Sequence, residues 1–293
     1  MGSKEEYVEN LKSFWPKNAP DISQVPKYVN KYKKDEIVIK CGGKVLIDPD
    51  LFDKFIEDVS VLHKLGLKII IIHGGGPRIK TELAKLNIES EFINGLRVTD
   101  EQTMKVVEKA LVDFNSEIIE KLNKKNCNAE GLNVSKNNVI IVEQENKDLG
   151  FVGKPKKVFK EKIQAVIDKN LIPVLSPMGK DDRDLKYNIN ADTAAAAVAK
   201  SLKSRRLLLM TDVEGVYDES KKLISEIKPN EAKNLIDKKI VQGGMIPKLL
   251  NSIDAIENGV RGVVIIDGRR LHSILYEIFS DEGAGTLIRK WKN

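Results

Sequence analysis

The chain has 293 residues, 41% of them hydrophobic and 31% charged, enough to bury one large α/β unit or a pair of lobes. Forty-nine basic against 43 acidic residues leave a formal charge of +6, without an arm of consecutive Lys/Arg or a basic run interleaved with aromatics. Nucleic acid is therefore not an expected partner, whereas phosphates and other small anions are.

The opening MGSKEEYVENLKSFW is charged and lacks the apolar centre of a signal peptide. Tyr7, Val8, Leu11 and Phe14–Trp15 form a partial helical stripe that Pro16 and Pro20 stop, and Asp21 or Ser23 can cap a second short helix carrying Val25, Tyr28, Val29 and Tyr32. Such an arm, residues 1–34, either folds back on its own domain or buries its apolar face on another subunit.

EIVIK, from Glu36, reads as a strand, followed by the glycine turn Gly42–Gly43 and a helix around Leu51 to Leu65. KIIIIH is a second strand, its apolar run far shorter than a membrane span, broken by Gly74–Gly75–Gly76–Pro77 before a helix to about Leu86. A hairpin-like stretch at Phe92–Ile93–Asn94–Gly95 precedes a longer helix from about Asp100 to Lys124. NVIIVE and DLGFVGKPKKV read as paired strands on an excursion, with Gly150 and Gly153 as turn residues. Next come a helix from Glu161 to Lys169, the strand LIPVLSP and a helix from Ala191 to Leu202. A fresh series holds RRLLLMTDV, the Gly243–Gly244 loop, a helix from Pro247 to Asn258, RGVVIIDG, a closing helix from Arg270 and the tail strand GTLIRK. This alternation predicts an α/β fold with a mainly parallel central sheet, right-handed crossovers and ligands at the carboxyl ends of the strands.

Neither G-x-x-x-x-G-K-[ST] nor G-x-G-x-x-G is present, which disfavours a P-loop NTPase and a dinucleotide-binding enzyme. The chain offers instead three glycine clusters, each expected directly after a strand: Gly42–Gly43, Gly74–Gly75–Gly76 and Gly243–Gly244. Glycine lets the backbone approach a ligand and aim N–H groups at it, and a following helix N-terminus favours negative charge. Two consecutive strands ending this way would surround an anion from both sides.

Lys40 closes an apolar strand and either snorkels at its end or projects into the same mouth. Asp192 stands in the first turn of an Ala-rich helix, where a carboxylate is common. Lys248, near a helix start, opposes the helix dipole and so invites another reason for being there. Arg97 either forks onto a carboxylate or caps a turn. His73 reads as structural. Cys41 and Cys127 are far apart and in no metal-ligand spacing, which predicts reduced thiols in a cytoplasmic protein. Three histidines without H-E-x-x-H predict no protein zinc site, and no G-x-S-x-G supports a serine hydrolase.

Read in order, IKCGGK, HGGGP, NGLRVTD, DLGFVG, NINADTAA, TDVEGVY, GGMIPK and IIDGRRLHSILYEIFSDEGAGT resemble the N-acetylglutamate kinases of the amino-acid kinase superfamily, from about residue 26 to the C-terminus. The resemblance implies a three-layer αβα sandwich of two lobes, acceptor (35–203) and nucleotide (204–293), behind an N-terminal helical extension (1–34). It implies transfer of the ATP γ-phosphoryl group to the side-chain carboxylate of N-acetylglutamate in arginine biosynthesis. Other outcomes left open are a kinase for another acidic acceptor, aminoadipate-type, and a non-catalytic arginine sensor.

By the same resemblance Lys40 lies on the transferring phosphoryl group, Lys248 on the phosphates nearer ADP, and Asp192 between the lysines. Amides of Gly43 and Gly75 grip phosphoryl oxygens while Gly42, Gly74 and Gly76 shape the loops. Arg97 and Asn188 bind the acceptor, and Thr211, Asp212, Val213, Gly215, Gly243, Gly244 and Met245 line the nucleotide pocket. Mg²⁺ is held by phosphates and waters, without protein side-chain ligands. Arginine-inhibited relatives suggest a site at Glu277 and Gly283 and a homo-oligomer, either a dimer or a hexamer assembled as a trimer of dimers through the extension. Two departures bear on that regulation: Val264 stands where a histidine is usual, and Pro16 and Pro20 interrupt the arm. A third, GLNVSKNN at 131–138, lies away from the lysines.

Overall fold

The computed structural model describes residues 9–135 and 137–290. Tyr7 and Val8 of the N-terminal stripe, and most of the segment read for a signal peptide, lie outside the described residues.

The strands are β1 (Glu36–Cys41), β2 (Lys68–His73), β3 (Phe92–Ile93), β4 (Leu96–Arg97), β5 (Ala129–Leu132), β6 (Ile140–Gln144), β7 (Gly153–Val158), β8 (Ile172–Leu175), β9 (Met178–Lys180), β10 (Lys186–Asn188), β11 (Arg206–Thr211), β12 (Glu226–Ile227), β13 (Val263–Asp267) and β14 (Gly285–Ile288). The α-helices are α1 (Val25–Tyr32), α2 (Pro49–Lys64), α3 (Gly76–Lys85), α4 (Glu101–Lys124), α5 (Lys160–Ile167), α6 (Ala191–Leu202), α7 (Pro229–Asp237), α8 (Met245–Glu257) and α9 (Ser273–Phe279).

Among the described residues an eight-stranded sheet runs β12-β14-β13-β11-β1-β2-β8-β5. It is parallel except that β14 opposes β13 and carries β12 with it. Alternate residues of the central strands feed two cores. Ile37, Ile39, Ile69, Ile71, Leu208 and Val264 pack with α2, α4 and α9 on one face. Val38, Ile70, Ile72, Leu207, Leu209 and Ile265 pack with α5, α6 and α8 on the other. Burial on both faces is why EIVIK and KIIIIH are continuous apolar runs. The chain is thus a three-layer αβα sandwich with a mainly parallel central sheet, as expected. Segments 35–203 and 204–293 contribute four strands each and join where β1 pairs with β11.

Helix starts follow their caps. Asp48 accepts from the amides of Asp50 and Leu51, Asp100 from Thr103, and Asn190 from Asp192 and Thr193. Asp21 accepts from the Ser23 amide and starts a 3₁₀ turn leading into α1. The arm folds back on its own chain: Leu11 is buried, the Trp15 ring meets Phe279 edge-on at 5.6 Å, and the Tyr276 hydroxyl donates to the Asn18 carbonyl at 3.1 Å.

Several expectations need correction. Gly153 is no turn residue; it opens β7, where a Cβ would lie 2.8 Å from the Tyr187 Cβ. The excursion is a second sheet of four strands, β10-β9-β6-β7, not a lone pair. Gly243–Gly244 follows α7 and a connecting loop instead of a strand. The helix expected from Pro247 begins at Met245, with proline tolerated because first-turn amides have no intrahelical acceptor. The closing helix begins at Ser273, because His272 adopts a left-handed conformation (φ 55°).

Candidate active site

The sheet order sets the carboxyl ends of β11, β1, β2 and β8 side by side. The first crossover, β1 to β2, runs through α2 on one face; β11 to β13 runs through α8 on the other. The strand ends at that reversal form the crevice where such folds take ligands.

Lys40, at the end of β1, and Lys248, in the first turn of α8, both reach the carboxylate of Asp192. The Lys40 ammonium lies 3.0 Å from Oδ1 and that of Lys248 lies 2.5 Å from Oδ2. All three side chains are at most 15% exposed. Burial pushes the Asp192 carboxyl up, but the two ammonium groups outweigh it and hold the acid well below the usual carboxylate range. Burial also draws Lys248 down, against the pull of Asp192. The two cations share the one carboxylate within ion-pair distance, with Asp212 drawing Lys248 up from further off. A pair of closely set ammonium groups at a cavity suits an anionic ligand.

The glycine loops make room for this. A Cβ on Gly42 would fall 2.1 Å from the Lys40 nitrogen. Gly43 (φ 64°) is left-handed, and a Cβ there would strike the Asp212 carboxylate, which accepts from the Lys44 amide at 2.8 Å. The Gly74 amide donates to the Cys41 carbonyl at 2.7 Å, tying the two loops together.

Against them lies a cavity of about 250 Å³ lined by Lys40, Gly42, Gly43, Gly74, Gly75 and Gly76 on one side and by Arg97 and Asn188 on the other. Arg97, on β4, donates to the Ser90 hydroxyl and to the Gly76 carbonyl (3.3 Å), and its guanidinium lies 4.7 Å from the centre of the Phe92 ring. Asn188 ends β10, its amide donating to the Phe151 carbonyl at 2.9 Å.

Thr211 ends β11 and Asp212, Val213 and Gly215 follow it, while Gly243, Gly244 and Met245 stand at the head of α8, one turn from Lys248. They are not among the cavity's lining residues. Elsewhere a second cavity, about 300 Å³, is lined by Lys31, Arg206, Glu277, Asp281 and Gly283 among others. Burial raises the Glu277 carboxyl, partly offset by the Ala284 amide it accepts from. Val264 is fully buried in the sheet core and does not line that cavity. No cluster of three His, Cys, Asp or Glu side chains suited to a metal occurs among the described residues.

The sequence reading missed Asn190, Leu111 and Val152, which also line this cavity. Asn190 carried a signal, as a capping residue before an Ala-rich run. Leu111 carried none, since its spacing on α4 is that of an ordinary core leucine.

The family model described as the amino acid kinase family matches residues 35–267, which contain the whole of this constellation. The chain belongs to the amino acid kinase family. This amino acid kinase is 53% identical over 282 residues to the acetylglutamate kinase of Pelagibacter ubique, covering 96% of this chain and 98% of that one. It is 45% identical over 269 residues to the acetylglutamate kinase of Caldanaerobacter subterraneus, covering 90% of each. Among solved structures, an N-acetylglutamate synthase from Neisseria gonorrhoeae complexed with coenzyme A and N-acetyl-glutamate superposes with a TM-score of 0.83 at 22% identity. That match covers 92% of this chain but 63% of the synthase, and it shows the shared fold.

Proposed function

We infer that this amino acid kinase transfers the γ-phosphoryl group of ATP to the side-chain carboxylate of N-acetyl-L-glutamate, giving N-acetylglutamyl 5-phosphate for arginine biosynthesis. The observation that carries the reading is the Lys40–Asp192–Lys248 cluster beside a glycine-walled cavity with Arg97 and Asn188 across it.

The chemistry accounts for the residue types. The acceptor is already ionised at neutral pH, so no general base is needed. The obstacle is repulsion between a carboxylate and a polyphosphate, together with charge gathering on the leaving group. Lys40 would neutralise the transferring group and Lys248 the leaving phosphates, with Asp192 holding both at fixed distance. The amides of Gly43 and Gly75 would grip phosphoryl oxygens. Arg97 and Asn188 would take the α-carboxylate and amide end, fixing the acceptor for attack. Thr211, Asp212, Val213, Gly215 and the Gly243–Met245 turn would flank the nucleotide.

The donor set fits a Mg²⁺ ion brought by the nucleotide: both Asp192 oxygens face lysines, and Asp212 gives one oxygen to the Lys44 amide. Such an ion, held by phosphates and waters, would supply further charge neutralisation.

In this reading residues 35–203 form the acceptor lobe and 204–293 the nucleotide lobe, and the arm 1–34, though its described residues pack back on their own chain, would still offer its outer side to another subunit. No helix among the described residues is long and apolar enough to cross a membrane, consistent with a cytoplasmic enzyme. A second reading, arginine inhibition, rests on the cavity at Glu277, lined by Lys31 and Arg206 as well as by Asp281, where a guanidinium would meet a buried carboxylate. Coupled ADP-release assays with N-acetylglutamate, aminoadipate, glutamate, aspartate and carbamate, with and without arginine, test both. Faster turnover of another acceptor overturns the substrate, and unchanged kinetics under saturating arginine overturn the regulation. Sedimentation velocity distinguishes dimer from hexamer.

A further inference from the structure

His73 was read from sequence as structural, and its ring is fully buried behind the glycine loop. Its Nδ1 lies 2.9 Å from the carbonyl oxygen of Gly74, which can only accept, so Nδ1 carries the proton. Nε2 is then the bare nitrogen. It accepts from the Ser176 hydroxyl and the Asn115 side-chain amide, each at 3.2 Å. The other Asn115 amide hydrogen goes to the Val174 carbonyl at 3.0 Å. With Nδ1 protonated these four contacts each pair a donor with an acceptor, the Nε2 lone pair being shared between two donors, which favours this tautomer and ring orientation.

The Gly74–Gly75 peptide is trans, so the carbonyl that His73 holds and the Gly75 N–H on the far side of the same plane point opposite ways. Gly75 is buried, yet its amide finds no acceptor among the described residues, and it lines the cavity beside Lys40. Buried backbone amides are nearly always paired, so this one is aimed at something that arrives. The link is also unusually free to turn over. It joins two glycines, whose backbone rotates at little steric cost. Side chains cannot supply the restraint, since a Cβ on Gly75 would lie 2.4 Å from Leu111 Cδ2.

We propose that His73 is a positioning residue: by donating to the Gly74 carbonyl it prevents rotation of the Gly74–Gly75 peptide and keeps the Gly75 amide directed at the transferring phosphoryl group. This deepens the reading of the acceptor cavity given above and rests on it. His73 does not touch substrate; it acts through the peptide.

The variants His73→Gln and His73→Asn separate this role from packing. A glutamine amide reaches the Nε2 position and loses the donor to Gly74, whereas an asparagine amide reaches the Nδ1 position and keeps it. We expect His73→Gln to lose about 10- to 100-fold in kcat, less than or comparable to removing one oxyanion donor outright. KM for both substrates should stay within about threefold, because the interaction grows in the transition state. His73→Asn should recover most of that loss. Equal losses in the two variants, full kcat in His73→Gln, or a change confined to KM would overturn the proposal.

Should the variants not fold, ¹⁵N NMR of the wild-type protein reads the same point. The His73 ring should be neutral and protonated at Nδ1, and an Nε2-protonated ring sinks the idea. That measurement needs no turnover, and the kinetic comparison uses whichever acceptor the wild type phosphorylates. Failure here is therefore distinct from a wrong substrate.

Discussion

A methyl group on Gly42 would sit 2.1 Å from the ammonium nitrogen of Lys40, so the lysine occupies the space that the glycine leaves. Gly42 itself is in extended backbone that any residue adopts (φ −155°). The glycine is thus required by its neighbour's side chain and not by its own conformation.

Gly42→Ala should therefore displace Lys40 without unfolding the loop. The expected outcome is a fall in kcat of at least about tenfold, a fraction of the cost of losing a preorganised charge. Thermal melting should move by only a few degrees. Coupled ADP release and a melting curve on the same preparation check it, and unchanged kcat would show that Lys40 has another place to go.

Lys40→Met and Lys248→Met should each cost at least about a hundredfold in rate, the scale for one electrostatic stabiliser in a dry site. A variant that keeps near-normal turnover removes that lysine from the mechanism.

Asp192→Asn leaves two buried ammonium groups facing an uncharged amide. Breaking a buried ion pair from one side costs about 3–5 kcal/mol, so urea denaturation should show a loss of that order at pH 7. Added sulfate or phosphate should return part of it by supplying the missing negative charge. A variant as stable as wild type, with no anion response, would contradict the charge argument.

His73 makes stability depend on pH. Burial lowers its imidazole from the usual 6.5 to about 4, opposed by the Gly74 carbonyl and aided by the nearby Arg78 cation; Phe114, Asn115 and Ser176 pack around it as neutral groups. A depressed value means that the folded state prefers the neutral ring. Its contribution is complete above pH 6.5 and is lost as pH falls from there through about 4. Because each pKa unit is worth about 1.36 kcal/mol, the loss on acidification is of the order of a few kcal/mol. Urea midpoints at pH 7 and pH 5 should fall further in wild type than in His73→Gln; parallel curves would count against it.

Much of the fold was legible because its signals are local. EIVIK and KIIIIH announce doubly buried strands, and Asp48, Asp100 and Asn190 mark helix starts within a residue or two. What stayed hidden was short or supported from a distance. The strands Met178–Lys180, Lys186–Asn188 and Glu226–Ile227 have too few residues for a period, and exist because neighbouring strands hydrogen-bond them. Gly153 looked like a turn because glycine usually is; only the Tyr187 and Val142 side chains pressing on it reveal a strand position.

By itself the sequence determined which of the longer segments become strands and helices, and which residues carry positive charge, carboxylate or bare backbone, since those depend on near neighbours along the chain. Only the tertiary structure decided that Lys40, Asp192 and Lys248 touch, and that Gly75 lines a cavity while the buried His73 ring meets the Gly74 carbonyl. The reason is physical: periodicity reports burial but not order, and the order β11-β1-β2-β8 is set by how whole sheets and helices pack.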